Sequence, residues 1–141
     1  MFTEMLRLAL ALVLTLCIAG CGNATGARQQ PSSVAGLRIT VWPEGKAGAR
    51  AIYTLNCPAG KGTLPAAHAA CKKLSHLGAR AFAPVPAGTA CTMIYGGPQQ
   101  ALITGRFSGK AIRAVFSRSD DCQIARWSRV AFLFPHRLAS P

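Results

Sequence analysis

The side chains that could do acid–base or metal chemistry are few in this sequence of 141 residues, which contains four acidic residues and three histidines. Asp120 and Asp121 are adjacent, so their side chains point apart and cannot act as a carboxylate pair across a cleft. His68, His76 and His136 lie in no nucleophile-elbow or metalloprotease motif. The sequence therefore indicates no enzyme, and it suggests no cofactor.

The cysteines are the next candidates. Of the six in the chain, four follow the N-terminal region, namely Cys57, Cys71, Cys91 and Cys122. An even number of cysteines in a small exported domain predicts two disulfides, for which three pairings are possible. A zinc site is the competing interpretation, but no Cys-x-x-Cys spacing occurs and no histidine accompanies a cysteine pair. We therefore expect disulfides and no metal.

One apolar segment asks for an explanation. Met93, Ile94 and Tyr95 lie between Cys91 and a Gly-Gly-Pro turn. Loops are commonly polar, so an apolar loop fixed by a disulfide is what a protease would need in order to bind a segment as its substrate. The alternative is a buried strand that continues into the next predicted strand. The residues alone leave both interpretations open.

The N-terminus has the pattern of an export signal. An uncharged apolar run from Leu8 to Ile18 follows Arg7 and is too short to span a bilayer comfortably. The run ends in Ile18-Ala19-Gly20-Cys21, which resembles the lipobox of bacterial lipoproteins and would leave a lipid on Cys21. The alternative is an ordinary secretory signal cleaved nearby, for example after Ala24. We expect a protein held on the extracytoplasmic side of the cell membrane, or secreted if the lipobox is not used.

Composition divides the chain into four parts. Residues 1–20 are the lipoprotein signal peptide, and residues 21–36, rich in Gly, Ser, Gln and Asn, form a flexible tether. Residues 37–135 make one small domain, and residues 136–141 are a tail. A domain of about 100 residues can form a single core, and crosslinks add to its stability.

The charge is strongly positive, with a formal net charge of +12. The basic residues are scattered and form no run longer than two, which indicates a generally basic surface and not a nucleic-acid track. We expect affinity for anionic surfaces and no specific nucleic-acid partner. This supports a second interpretation of the function, a basic envelope lipoprotein that binds an anionic polymer or a partner protein.

Local patterns predict the elements around these residues. Alternating or continuous apolar residues predict strands at Leu37–Trp42, Ala49–Cys57, Gln99–Arg106, Lys110–Phe116 and Val130–Phe134. A helix is predicted from Pro65 to Gly78, and a short one from Ser119 to Trp127, capped by Ser119 or Asp120. The fold class is α+β: a small two-layer domain with an antiparallel sheet of about five strands, one main helix, one short helix and two disulfides.

Several segments between Leu37 and Phe134 occur together in a recognisable order. They are Thr54-Leu55-Asn56-Cys57, Gly62-Thr63-Leu64-Pro65-Ala66-Ala67, Ala70-Cys71-Lys72-Lys73-Leu74, Ala90-Cys91-Thr92-Met93-Ile94-Tyr95, Gly109-Lys110, Val115-Phe116-Ser117 and Val130-Ala131-Phe132. On these segments the chain resembles the Streptomyces subtilisin inhibitor family. The resemblance implies that Cys57 pairs with Cys71 and that Cys91 pairs with Cys122.

The resemblance also implies a function for the apolar segment. Met93 would donate the carbonyl of the reactive bond to Ile94, within a reactive loop that includes Cys91, Thr92 and Tyr95. A rigid loop of this kind binds a serine protease as a substrate does, and it holds the ends of a cut bond in place so that resealing competes with release. A methionine suits the apolar pocket of subtilisin-like or chymotrypsin-like enzymes. The resemblance further implies a homodimer formed through the sheet.

The loop departs from the family pattern at two places. Thr92 stands where many members have proline, which removes a restraint on the backbone beside the reactive bond. Gly96-Gly97-Pro98 replaces the family's more common Asp-Pro, and we expect these glycines to soften the downstream half of the loop. A third departure, Leu64 in place of a common histidine, lies in a turn away from the loop.

Overall fold

The described part of the chain is built on one antiparallel sheet. A computed structural model describes residues 34–135. The strands are β1 (Ala35–Trp42), β2 (Ala51–Cys57), β3 (Gln100–Phe107) and β4 (Lys110–Phe116), in the order β2-β1-β3-β4. The predicted signal peptide, the lipidated Cys21, most of the tether and the tail lie outside the described residues. No helix in residues 34–135 is long and apolar enough to cross a bilayer.

The central strand β1 shows why the sequence forms a sheet with one buried face. Leu37, Ile39 and Val41 are buried, whereas Arg38 between them is exposed, as expected when successive side chains point to opposite faces. Ile39 pairs with Ile103 of β3, which is also fully buried. β1 begins at Ala35, two residues before the predicted start at Leu37, because Ala35 pairs with both neighbouring strands.

The main helix, α1 (Ala67–Leu77), confirms the helix predicted from composition. Its buried side chains recur at spacings of three and four, at Ala67, Ala70, Cys71 and Leu74. Gly78 ends the helix with a positive φ of 58°, and its N–H donates to the Leu74 carbonyl. The Cys57–Cys71 disulfide joins the end of β2 to α1, with the Cα atoms 5.5 Å apart.

The short helix, α2 (Asp121–Arg129), begins where a capping residue was predicted. Asp120 is its N-cap, and the Oδ1 atom accepts a hydrogen bond from the Gln123 N–H at 2.8 Å. The helix buries Trp127, which packs at 4.3 Å between ring centroids against Phe134. The helix therefore attaches to the core through aromatic side chains.

The predicted fifth strand, Val130–Phe134, is wrong. This segment forms a single turn of 3₁₀-helix, Ala131–Leu133, and the sheet of the described residues has four strands. Its backbone bonds are local, since the Leu133 N–H donates to the Val130 carbonyl at 2.8 Å. An uninterrupted apolar run fits a buried turn as well as a buried strand, so the pattern did not distinguish the two. Val130 and Leu133 still fill the core as expected.

The sheet has two ends, which lie at opposite ends of its strands. At the entry end, defined by the start of β1 and the turn between β3 and β4, the Ser108 N–H donates to the Val34 carbonyl at 2.8 Å. The opposite end, named the loop end, is formed by the end of β1, the start of β3 and the end of β4, where Trp42 pairs with Gln100. A strand of 8 residues separates the two ends, which corresponds to about 25 Å.

Candidate functional site

The apolar segment is an exposed loop at the loop end of the sheet. Met93 is 87% exposed, Ile94 55% and Tyr95 69%. None of the three belongs to a strand. The interpretation of this segment as a buried strand is therefore excluded, and the loop interpretation is left. Large apolar side chains with this exposure commonly mark a surface that contacts another molecule.

A disulfide anchors the upstream side of the loop. Cys91 is bonded to Cys122 in the first turn of α2, with the Cα atoms 5.6 Å apart. Together with Cys57–Cys71, this gives the two disulfides and the pairing that the family resemblance implied. Because Met93 is only two residues beyond Cys91, the crosslink limits how far the exposed side chains can move.

Thr92 is fixed by a reciprocal pair of hydrogen bonds to Asp121. The Thr92 N–H donates to Asp121 Oδ1 at 2.8 Å, and the Asp121 N–H donates back to the Thr92 carbonyl at 3.2 Å. The same Oδ1 accepts from the Cys122 N–H at 2.7 Å. A proline at position 92 has no N–H and could not form the first of these bonds. The residue that departs from the family pattern thus supplies a restraint of its own.

The downstream side of the loop is held at Gly96. Its N–H donates to the Arg118 carbonyl at 2.8 Å. A Cβ atom at this position would lie 2.8 Å from Ile124 Cδ1 and 3.1 Å from Arg118 Nε, so a larger residue would require these side chains to shift. The next residue, Gly97, has φ of 127°, a conformation that other residues rarely adopt. Gly96 therefore lets the downstream side of the loop lie close to α2.

The backbone turns at Met93. The Ile94 N–H donates to the Thr92 carbonyl at 2.8 Å, which closes a three-residue turn with Met93 at its centre. The turn restrains the Met93–Ile94 peptide bond, because the nitrogen of that bond donates its hydrogen bond within the loop. The Thr92 carbonyl accepts from the N–H groups of both Ile94 and Asp121, which ties the turn to the start of α2.

Both anchors of the loop come from one short segment, Arg118–Cys122, which follows β4. Within it, Asp120 caps α2 as predicted, whereas the role of Asp121 in holding Thr92 was missed from the sequence. The available signal was an acidic residue next to the cysteine that pairs with the loop. No amino-acid pattern along the chain indicates that Arg118 lies opposite Gly96.

A buried arginine, Arg126, forms hydrogen bonds that fix α2 beneath the exposed loop. Arg126 of α2 donates from Nε to the Ala83 carbonyl at 2.9 Å and from Nη1 to the Val115 carbonyl at 3.1 Å and to Gln123 Oε1 at 2.8 Å. Burial, together with the nearby positive charge of Arg129, lowers the pKa of Arg126. The side chain joins α2 to β4 and to the segment that leads into the loop, which was not evident from the sequence.

Four residues with possible metal-ligand atoms lie together beneath the loop, but these atoms already form a disulfide or accept hydrogen bonds. Atoms of Cys91, Asp120, Asp121 and Cys122 lie within 4.8 Å of one another. The two sulfur atoms are bonded to each other, and metal binding by cysteine requires the thiolate. Both carboxylates accept backbone N–H groups. This cluster supports the loop.

A separate groove of about 870 Å³ lies between α1 and the 3₁₀ turn that follows α2. Ala69, Leu77 and Phe132 contribute apolar walls, and Lys73 lies 5.6 Å above the Phe132 ring. No residue of the exposed loop lines this groove. The groove and the loop are therefore distinct features of the surface.

Comparison of the chain with protein-family models gives no match, and comparison with curated proteins gives no match either.

Proposed function

We propose that this protein is a substrate-like inhibitor of serine proteases and that Met93–Ile94 is the peptide bond it presents. The observation that carries the proposal is the 87% exposure of Met93 in a loop that is fixed on both sides. The resemblance to the subtilisin inhibitor family, drawn from the segment around Cys91 and Met93, points to the same bond. The protein acts by binding and supplies no catalytic group.

Inhibition by this route depends on the loop being ordered before it meets the protease. Fixing the backbone of a residue costs about 1–2 kcal/mol, so ordering the five residues from Thr92 to Gly96 on binding would cost on the order of 5–10 kcal/mol. The disulfide and the hydrogen bonds to Asp121 and Arg118 order these residues during folding, before the protease binds. The loop backbone then loses little further conformational entropy when it binds the protease.

The same restraints favour resealing of a cut bond. When the protease serine attacks the Met93 carbonyl, the Met93–Ile94 bond breaks and Ile94 becomes a free amine. The amine stays near the acyl group because Thr92 and Gly96, on either side of the bond, remain tied to Asp121 and Arg118. Re-formation of the peptide bond then competes with diffusion of the two ends.

The side chain of Met93 sets the class of target. An unbranched apolar side chain fits an apolar specificity pocket and offers no charge to a pocket with a buried carboxylate. We therefore propose subtilisin-like and chymotrypsin-like proteases as partners and not trypsin-like ones. With a lipid on Cys21, the inhibitor would act at the extracytoplasmic side of the cell membrane, and without it the inhibitor would be secreted.

The test is a titration of subtilisin and of chymotrypsin with the oxidised protein. We expect stoichiometric loss of protease activity, and we expect Met93→Asp to abolish it because a charged side chain is not accommodated in an apolar pocket. Val34→Asp is the matched control, since Val34 is 62% exposed and lies at the entry end, away from the loop.

The outcomes are distinct. Inhibition by the wild type and by Val34→Asp, but not by Met93→Asp, would identify the reactive residue. Rapid cleavage of the wild-type loop at Met93–Ile94, or no effect on either protease at stoichiometric concentration, would show that the loop does not inhibit. Mass spectrometry of the mixture separates these results, because only cleavage adds the mass of one water.

A further inference from the structure

Charge is distributed unevenly between the two ends of the sheet. The carboxylates of the described residues, Glu44, Asp120 and Asp121, follow β1 or β4 and lie at the loop end. Five exposed basic residues lie away from the loop end, with no carboxylate of the described chain among them: Lys61, Arg106 and Lys110 at the entry end, and Arg38 and Arg113 midway along β1 and β4. The entry end therefore has an uncompensated positive charge, while acidic residues moderate the charge at the loop end.

Three of the arginines share the outer face, the face of the sheet opposite the core. Thr104 pairs with Arg38 on one side and with Arg113 on the other, so the three side chains form one row across β1, β3 and β4. Arg106, two residues beyond Thr104, is the diagonal neighbour of both arginines, at about 7–8 Å between Cα atoms. These three arginines are named the arginine triad.

The arginine triad is poorly satisfied within the protein. Arg106 donates one hydrogen bond, from Nη2 to the Gly109 carbonyl at 2.8 Å, and this contact leaves its charge uncompensated. The carboxylates of Asp120 and Asp121 lie at the loop end, where they accept backbone N–H groups. Like charges on neighbouring strands repel one another, so this arrangement favours an anionic ligand with several charged groups.

The direction of the chain indicates which anionic surface this is. Val34, the first described residue, lies at the entry end, beside the β3–β4 turn. Cys21, the predicted lipid attachment site, is 14 residues before Ala35, and a chain of that length spans at most about 50 Å. A membrane that held the lipid would therefore lie within about 50 Å of the entry end, within reach of the triad.

We propose that the arginine triad, with Lys61 and Lys110, binds the anionic headgroups of a phospholipid membrane. Phosphate groups in a bilayer are closely spaced and match a row of guanidinium groups, each of which can bond phosphate in a bidentate manner. Because the triad lies on the outer face, this contact turns that face of the sheet toward the headgroups and the core side away from them. The choice of a membrane rests on the lipid site at Cys21, but the headgroup contact can be tested without it.

The test measures binding of the full chain carrying Cys21→Ser, so that no lipid is attached, to vesicles. Vesicles of phosphatidylcholine alone are compared with vesicles containing 30% phosphatidylglycerol, at about 0.1 M salt. Any contribution of the apolar leader is common to both vesicles, so the difference reports the electrostatic contact. We expect tighter binding to the anionic vesicles. At about fivefold per arginine, R38Q/R106Q/R113Q should lower that affinity on the order of 100-fold.

The matched control removes the same charge from other exposed positions, in K46Q/R50Q/K72Q. Retention of most of the affinity in the control, with loss in the triad variant, supports the proposal. Equal losses in both variants would show that net charge alone is responsible and would overturn it. Conversion of a dimer to a monomer by the triad variant, without vesicle binding by the wild type, would assign the face to a second copy of the chain.

A soluble polyanion is the other ligand to be distinguished. Polyphosphate is titrated against the same variants, and tighter binding to polyphosphate than to anionic vesicles at equal phosphate concentration would overturn the membrane assignment. Protease titration of both variants separates this proposal from the proposed function. Both variants leave the loop and its anchors intact, so a loss of vesicle binding with unchanged inhibition concerns the triad alone.

Discussion

Replacement of Asp121 by alanine should release the upstream half of the exposed loop while leaving the fold intact. Asp121 Oδ1 accepts hydrogen bonds from the N–H groups of Thr92 and Cys122, at 2.8 and 2.7 Å. A hydrogen bond to a charged acceptor contributes about 1.5–3 kcal/mol, and the lower value applies here because the group is only half-buried. A loss of about 1.5 kcal/mol corresponds to an opening of the Thr92 contact that is about tenfold more frequent.

Amide hydrogen exchange measures this directly and does not depend on the function of the loop. We expect the Thr92 amide to exchange about tenfold faster in Asp121→Ala. The amide of Ile39, in the fully buried part of β1, serves as the reference for global unfolding. Asp121→Asn is the matched control, since its side-chain oxygen can still accept both bonds, and it should lie between the two proteins.

Two results would refute the reasoning. Unchanged exchange at Thr92 would mean that Asp121 does not hold the loop, whatever the distance between the atoms. An increase at Thr92 matched by an equal increase at Ile39 would mean that Asp121→Ala destabilises the whole domain, for example by removing an acidic residue from the first turn of α2.

Two further changes test the packing beneath the loop. Arg126→Met removes three hydrogen bonds and leaves two carbonyls unpaired, so urea denaturation should show a free energy of unfolding lower by about 2–3 kcal/mol. Arg129 is exposed, so the control Arg129→Met should lower it by less than about 1 kcal/mol. Equal losses in the two variants would contradict the interpretation. Gly96→Ala places a methyl group against Ile124 and should lower the free energy of unfolding by about 1–3 kcal/mol. In the Ile124→Ala background the same change should cost less, because the side chain it meets is gone. If the effects of the two substitutions simply add, the methyl group does not clash with Ile124.

The sheet and the main helix could be predicted because their signals are local. Leu37, Ile39 and Val41 alternate with polar residues along β1, and the spacing of Ala70 and Leu74 fits one face of a helix. The strands of the sheet lie within two residues of the predicted bounds. The run from Val130 carried no such signal, because every residue is apolar and neither periodicity applies.

The candidate site was predicted in part. Cys91 and Met93 attracted attention through residue type, and the exposure of Met93 agrees with the loop interpretation. The supports of the loop were missed because they act over long separations: Asp121 bonds to Thr92 across 29 positions, and Arg126 bonds to Ala83 across 43. A single sequence contains no pattern that pairs a helix residue with a particular carbonyl so far away.

The location of both loop anchors in Arg118–Cys122 has a consequence for the order of events as the chain emerges. The loop is made before its supports, because Cys122 follows Cys91 by 31 positions. Until Cys122 and the start of α2 have been made, Met93 and Ile94 belong to a chain that lacks the disulfide and the hydrogen bonds to Asp121 and Arg118. The exposed loop is fixed only when α2 docks beneath it.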